Sequence, residues 1–197
     1  QGGNGGTGGN DTGTQGQDTG SDSQAKGLQV GDRVQTGNGI FVITKTGNKP
    51  EVSFAGPAKN NLKKVKIPKT VKYKGITFSV TDIANGALSK MSKLQTVEIG
   101  ANVRTIGKNA FANCKKLKKV VIPKGVKTIG KNAFKGCKNL KEITFKTTSL
   151  KKVGKYAFKG ISGKAVFTCP KKKLTKYKKL IRNSKVGKSV KYVVTGK

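Results

Sequence analysis

Residues 103–122 read VRTIGKNAFANCKKLKKVVI, and residues 126–145 read VKTIGKNAFKGCKNLKEITF. The same frame extends on both sides. Aligned on the apolar residue before the Ala-Phe pair, Ile83, Ile106, Ile129 and Val153 fall 23, 23 and 24 residues apart. Next come Ala87, Ala110, Ala133 and Ala157, followed by Leu88, Phe111, Phe134 and Phe158. Met91, Cys114, Cys137 and Ile161 stand three residues on, and then Leu94, Leu117 and Leu140. A fixed period of 20 to 30 residues is the signature of a solenoid. One unit cannot hide its apolar side alone and stacks on its neighbours. Positions that stay the same from unit to unit therefore read as core, and the free positions, mostly lysine, read as surface.

Within the unit, Val120 and Ile122 alternate as an extended strand does. Pro68 and Pro123 stop their strands where a missing N–H does least harm. The VKTIGKNAF segment reads as a second short extended piece, a glycine turn, and one helical or 3-10 turn around Ala133 and Phe134. Ahead of the repeat, Val34, Ile40, Val42, Val52 and Phe54 are separated by Gly-Asn turn signals, a hairpin pattern. Residues 62–83 add two further strands. After the repeat, Leu174, Tyr177, Leu180 and Ile181 stand at helical spacing behind Pro170, and Asn183 and Ser184 end the helix. A closing strand, SVKYVV, follows. An open solenoid end exposes its core, so these flanking elements read as caps.

Residues 1–26 hold almost nothing apolar and read as a disordered Gly-rich linker. From Gly27 onward, 41 basic residues face five acidic ones, a balance of +36. Such a field attracts anionic partners. Only three of the basic residues are arginine, and lysine suits diffuse attraction better than bidentate recognition. No apolar run approaches the roughly 18 residues of a membrane span. No signal peptide is visible, so an exported protein of this sequence would be a processed or trimmed form.

The sequence speaks against catalysis. Histidine, the usual general base, is absent. Glu98 and Glu142 fall in different strand columns, which argues against a shared carboxylate site; pairing with neighbouring lysines is the expectation. The Gly-Lys-Ser at 187–189 lacks the preceding glycine and the strand-loop-helix setting of a phosphate loop. Three cysteines without Cys-x-x-Cys spacing do not make a zinc site. Cys114 and Cys137 are equivalent positions in adjacent units. A disulfide between them is sterically conceivable, and two buried thiols packed as small hydrophobes is the plainer reading. Cys169 falls at the inward position matching Ile122 and Phe145. No enzyme, cofactor or metal is expected.

The unit IGKNAFxxCxxLKxVxIPxxVxxIGKNAF resembles the BspA-like leucine-rich repeat of bacterial cell-surface proteins, also called the Treponema pallidum type. The resemblance covers about residues 62–173, and IPKTVKYKGITFSVTDI is similar to the usual lead-in to the first repeat. The first unit departs with Leu88 and Met91, and the last with Ile161 and with Lys164 at the strand leucine, so that its strand restarts near Val166. The resemblance implies an exported, surface-attached protein of a family often active in adhesion, aggregation or host contact and frequently without a defined ligand. The expected partner is a host or bacterial surface protein or glycan.

These readings combine into a leucine-rich-repeat solenoid (α/β, β-rich) of parallel stacked strands with short helical or 3-10 turns. An N-terminal β-hairpin cap and a C-terminal helix-plus-strand cap close it. The expected divisions are 1–26 linker, 27–79 cap and lead-in, 80–173 about four repeats, and 174–197 cap. The expected function is a non-enzymatic, monomeric interaction or adhesion module, extracellular or on the bacterial surface. The alternatives are a structural spacer without its own ligand and an electrostatic binder of anionic polymers such as teichoic acid, sulfated glycan or extracellular DNA. The candidate surface is the outward side of the strands, read as three columns. The first holds Lys63, Gln95, Lys118 and Lys141. The second holds Lys64, Thr96, Lys119 and Glu142. The third holds Lys66, Glu98, Val121 and Thr144. Weak, salt-sensitive attraction to polyanions follows from the charge.

Overall fold

The computed structural model describes residues 27–195. The linker expected over 1–26 lies outside the described residues. In chain order come β1 (Arg33–Thr36), β2 (Gly39–Lys45), β3 (Glu51–Pro57), β4 (Lys64–Ile67), β5 (Thr70–Tyr73) and β6 (Ile76–Ile83). Next are β7 (Thr96–Ile99), β8 (Thr105–Ile106), β9 (Lys119–Ile122), β10 (Thr128–Ile129), β11 (Glu142–Phe145) and β12 (Lys152–Val153). The chain closes with β13 (Val166–Pro170), a 3-10 turn over Lys171–Lys173, α1 (Leu174–Asn183) and β14 (Lys191–Thr195).

Each repeat contributes one four-residue strand and one two-residue strand, and like strands stack into two sheets. The long strands run in the order β14-β13-β11-β9-β7-β4, parallel throughout. Six strands thus stack where the Ala-Phe frame marks four units. The first and last of them carry the strand without the turn motif. The short strands β8, β10 and β12 continue, in parallel, a sheet begun by the antiparallel β1-β2-β3 meander and by β6.

The segments between Ile83, Ile106, Ile129 or Val153 and the next long strand form a third side. Each is a run of hydrogen-bonded turns. In the central one, Ala110 donates to Gly107, Ala112 to Asn109, Cys114 to Phe111 and Leu117 to Cys114. These three-residue steps have the bonding of a 3-10 turn. They do not build a continuous helix, because two columns of residues adopt left-handed backbone. One column is Gly86, Asn109, Asn132 and Tyr156; the other is Lys90, Asn113, Gly136 and Gly160. Glycine and asparagine tolerate this conformation, while lysine and tyrosine pay for it with roughly 1–2 kcal/mol. The turn segments also bond to one another. Asn109, Phe111 and Asn113 donate to Lys131, Ala133 and Lys135 of the next rung, and Asn132, Phe134 and Gly136 donate to Lys155, Ala157 and Lys159. Backbone polarity is therefore satisfied laterally on all three sides, as a buried coil requires.

The repeat letters fill the space enclosed. Ile83, Ile106, Ile129, Phe111, Phe134, Phe158, Leu94, Leu117 and Leu140 are all buried. The rings of Phe111, Phe134 and Phe158 stack face over face, 4.9 and 5.4 Å apart and within 3° of parallel. The two cysteines lie in this ladder as free thiols: Cys114 donates to the Leu88 carbonyl and Cys137 to the Phe111 carbonyl, each at 3.0 Å. The neighbouring Cys114 thiol and burial both push the Cys137 thiol well above its usual range. Burial likewise raises Cys169 to about 11, against the pull of Lys178.

The ends differ from the sequence expectation in register. In β2, Phe41 and Ile43 are buried, and Ile40 and Val42 are only half-buried. Residues 40–43 are all apolar, so their sequence carries no phase, and β2 alternates regularly with Gly39, Phe41 and Ile43 inward; the extra residue, Ala55, lies in β3. In the last unit the strand does restart at Val166, paired with Glu142. Buried Ala165, not Lys164, takes the leucine's place: its N–H closes the turn on Ser162, as Leu140 does on Cys137. The C-terminal helix buries Tyr177 and Ile181 against the last rungs. The Tyr177 hydroxyl donates to the Thr147 carbonyl (2.9 Å) and accepts from the Leu150 N–H (3.2 Å).

Candidate ligand-binding face

The outward side of the long sheet carries the predicted columns. Pairing places Lys64 beside Thr96, Thr96 beside Lys119, and Lys119 beside Glu142, with Val166 and Lys191 continuing the row. Lys66 stands beside Glu98, and Val121 beside Thr144 and then Thr168. Lys63, Gln95, Lys118 and Lys141 precede these strands and link successive rungs: Gln95 donates to the Lys63 carbonyl, Lys118 to Gln95 and Lys141 to Lys118. Lys63, Lys64, Lys66, Lys118, Lys119, Lys141 and Glu142 are exposed, whereas Gln95, Val121 and Thr144 are half-buried.

Charge on this face is matched in part, at two of its exposed lysines. Lys64 bonds Glu98 at 2.6 Å, and Lys119 bonds Glu142 at 3.0 Å, each across one strand spacing. The hydrogen bond from Lys64, and then its charge, hold the Glu98 carboxyl below the ordinary glutamate range. A third carboxylate, Glu51, is paired with Arg104 on the other sheet and also accepts from Thr81.

The sheet is not uniform. Between β7 and β9 a single pair, Thr96 with Lys119, is in register, whereas β4-β7 and β9-β11 each pair along four residues. Beyond Thr96 the strands part and leave a groove of about 440 Å³. Val97, Ile99, Ala101, Val121 and Pro123 line it, and Glu98, Lys124 and Lys146 stand around it. Ile99 is half-buried here, although its counterparts Ile122 and Phe145 are fully buried. At the groove Ile-Gly-Ala at 99–101 stands where the next unit has Ile-Pro-Lys. Sequence columns alone did not mark it, because Val121 and Glu98 look like ordinary free positions.

A scan for protein families matches the BspA type leucine rich repeat region, in six copies, across residues 57–186. The chain belongs to the BspA-type leucine-rich repeat family. Solved structures agree on the fold. A leucine-rich repeat protein from Bacteroides capillosus is 27% identical, with a TM-score of 0.57, and the match covers 66% of this chain and 91% of that one. A leucine rich cell surface protein from Faecalibacterium prausnitzii is 20% identical, with a TM-score of 0.52, over 70% of this chain and 45% of that one. The pneumococcal vaccine antigen PcpA is 20% identical, with a TM-score of 0.53, over 85% of this chain and 47% of that one. This chain therefore spans less than half of two of these proteins. A search of curated proteins finds no match. In this BspA-type chain no helix among the described residues is long and apolar enough to cross a membrane.

Proposed function

We propose that the chain is a non-enzymatic interaction module of a bacterial surface or secreted protein, and that it holds a protein or glycan ligand on its long sheet. In this reading residues 80–173 are the body that presents the ligand, and the flanking hairpins and helix-plus-strand are caps. The groove between β7 and β9 carries the proposal. It offers apolar area beside charged groups of both signs, the make-up of a recognition site on a repeat surface. The long sheet's other outward positions are mostly exposed and polar, so the groove is where desolvation would favour a partner. A Faecalibacterium relative described as a cell surface protein supports the location.

The test is an array of host-cell and bacterial surface proteins and glycans, read at physiological and at high salt. The expected result is a ligand retained at high salt and weakened at least about tenfold by Val121→Glu, which places a carboxylate in an apolar groove. No ligand on a broad array would favour a structural spacer and overturn the proposal. A ligand indifferent to Val121→Glu would overturn the groove.

A further inference from the structure

The third side of the solenoid, built from the turn segments, has a different chemistry from the sheet. Residues 84–94, 107–117, 130–140 and 154–164 contain eleven lysines and no acidic residue. All eleven are exposed. The three ion pairs among the described residues use Lys64, Arg104 and Lys119, none of which is on this side. Charge here is therefore unmatched, and it is ordered. The turn-to-turn hydrogen bonds of Asn132 and Gly136 set Lys131 next to Lys155, and Lys135 next to Lys159, at one rung spacing. Stacked chains lie about 5 Å apart, so each pair carries a repulsion with no carboxylate on this side to offset it.

Tyr156 lies between Lys155 and Lys159. Its column holds glycine or asparagine in the earlier rungs, the residues that accept a left-handed backbone. Tyr156 adopts it too, with φ of 63°. An outlier of this kind, kept where a better residue is available, points to a role outside folding. The ring is only half-buried, and the ammonium groups of Lys155 and Lys159 sit 5.1 and 5.0 Å from its centre. Both ammonium groups lie over the ring as cation–π contacts. A charged sugar whose sulfate or carboxylate groups draw these lysines aside would free a ring face for its own C–H side.

We infer that the turn side around Tyr156 binds a linear anionic polysaccharide, carrying sulfate or carboxylate groups, across the last two Ala-Phe rungs. The inference is independent of the groove on the long sheet. A polysaccharide is favoured over nucleic acid because single-stranded readers use successive aromatic platforms and arginine. These two rungs offer one partly exposed aromatic ring and no arginine.

Heparin and an oligothymidine of equal charge serve as probes, with affinity measured across a salt series. Two variants with the same net charge are compared. One replaces Lys131, Lys135, Lys155 and Lys159 by serine; the other replaces Lys63, Lys66, Lys118 and Lys141 on the sheet. The expected result is a heparin affinity about tenfold lower, with a shallower salt dependence, for the turn variant only. Tyr156→Asn is expected to weaken heparin binding while raising the melting temperature, because asparagine suits the left-handed backbone. Equal weakening by the two lysine variants would show attraction by overall charge and overturn the site. Oligothymidine binding as tight as heparin at the same salt would overturn the partner class. Unchanged heparin affinity in Tyr156→Asn would remove the ring from the site.

Discussion

At the scale of single residues, the repeat is held by contacts that leave no room for substitution. Gly107, Gly130 and Gly154 occupy one column where each rung passes closest to the one before. A Cβ at Gly130 would lie 2.7 Å from the Gly107 carbonyl carbon and from the Lys108 nitrogen, both backbone. Neither atom can swing aside, so Gly130→Ala is expected to cost about 1–3 kcal/mol in urea denaturation. The same substitution at Gly163, where a Cβ meets nothing within 4 Å, should be close to neutral. On the surface, Glu98 tests the sheet-face pairing. Its folded-state acidity is strengthened by Lys64, so the interaction is fully present above the unfolded glutamate's titration and is lost as pH falls through the lower, folded value. An NMR titration should place the Glu98 midpoint below that of a free glutamate, and Lys64→Ser should return it. The core letters were legible at this scale because a column repeats them. The glycine column is equally regular, but the sequence marks it only as a turn and says nothing of the backbone that lies against it.

At the scale of elements, the sequence conveyed what alternation and period can convey. Val120 and Ile122 mark β9, and the same frame marks β11. Alternation failed in β2 because residues 40–43 are all apolar and either phase reads equally well; Phe41 and Ile43 are the inward pair. The turn segments were read as helical or 3-10. Their bonds are of that length, but left-handed columns at Asn109 and Asn113 interrupt them. The groove was missed because it depends on how two strands part, not on either strand's own pattern. The C-terminal helix was legible from Leu174, Tyr177, Leu180 and Ile181, but the use of the Tyr177 hydroxyl was not. That hydroxyl joins α1 to the stretch between the β11 and β12 rungs through Thr147 and Leu150. Tyr177→Phe leaves a buried carbonyl and a buried N–H without their partner. The expected cost is about 1–3 kcal/mol by chemical denaturation, with local exchange of the Leu150 amide accelerated more than that of the central rungs.

At the scale of the whole molecule, stability is a sum over rungs and their interfaces, set against a large positive charge. The three ion pairs among the described residues offset little of it, so the melting temperature should rise as salt is added from low to physiological concentration and the lysine columns are screened. A protein held mainly by surface ion pairs would respond the other way. The account rests above all on the equivalence of the units. That equivalence is tested by excision. Removing residues 107–129, one 23-residue period, joins Ile106 to Gly130 and takes out β9 and β10 as a complete rung. The account predicts a shortened protein that still unfolds cooperatively, with a smaller urea dependence, while removal of residues 107–118, about half a period, abolishes folding. Loss of cooperative folding on removal of the whole period would contradict it.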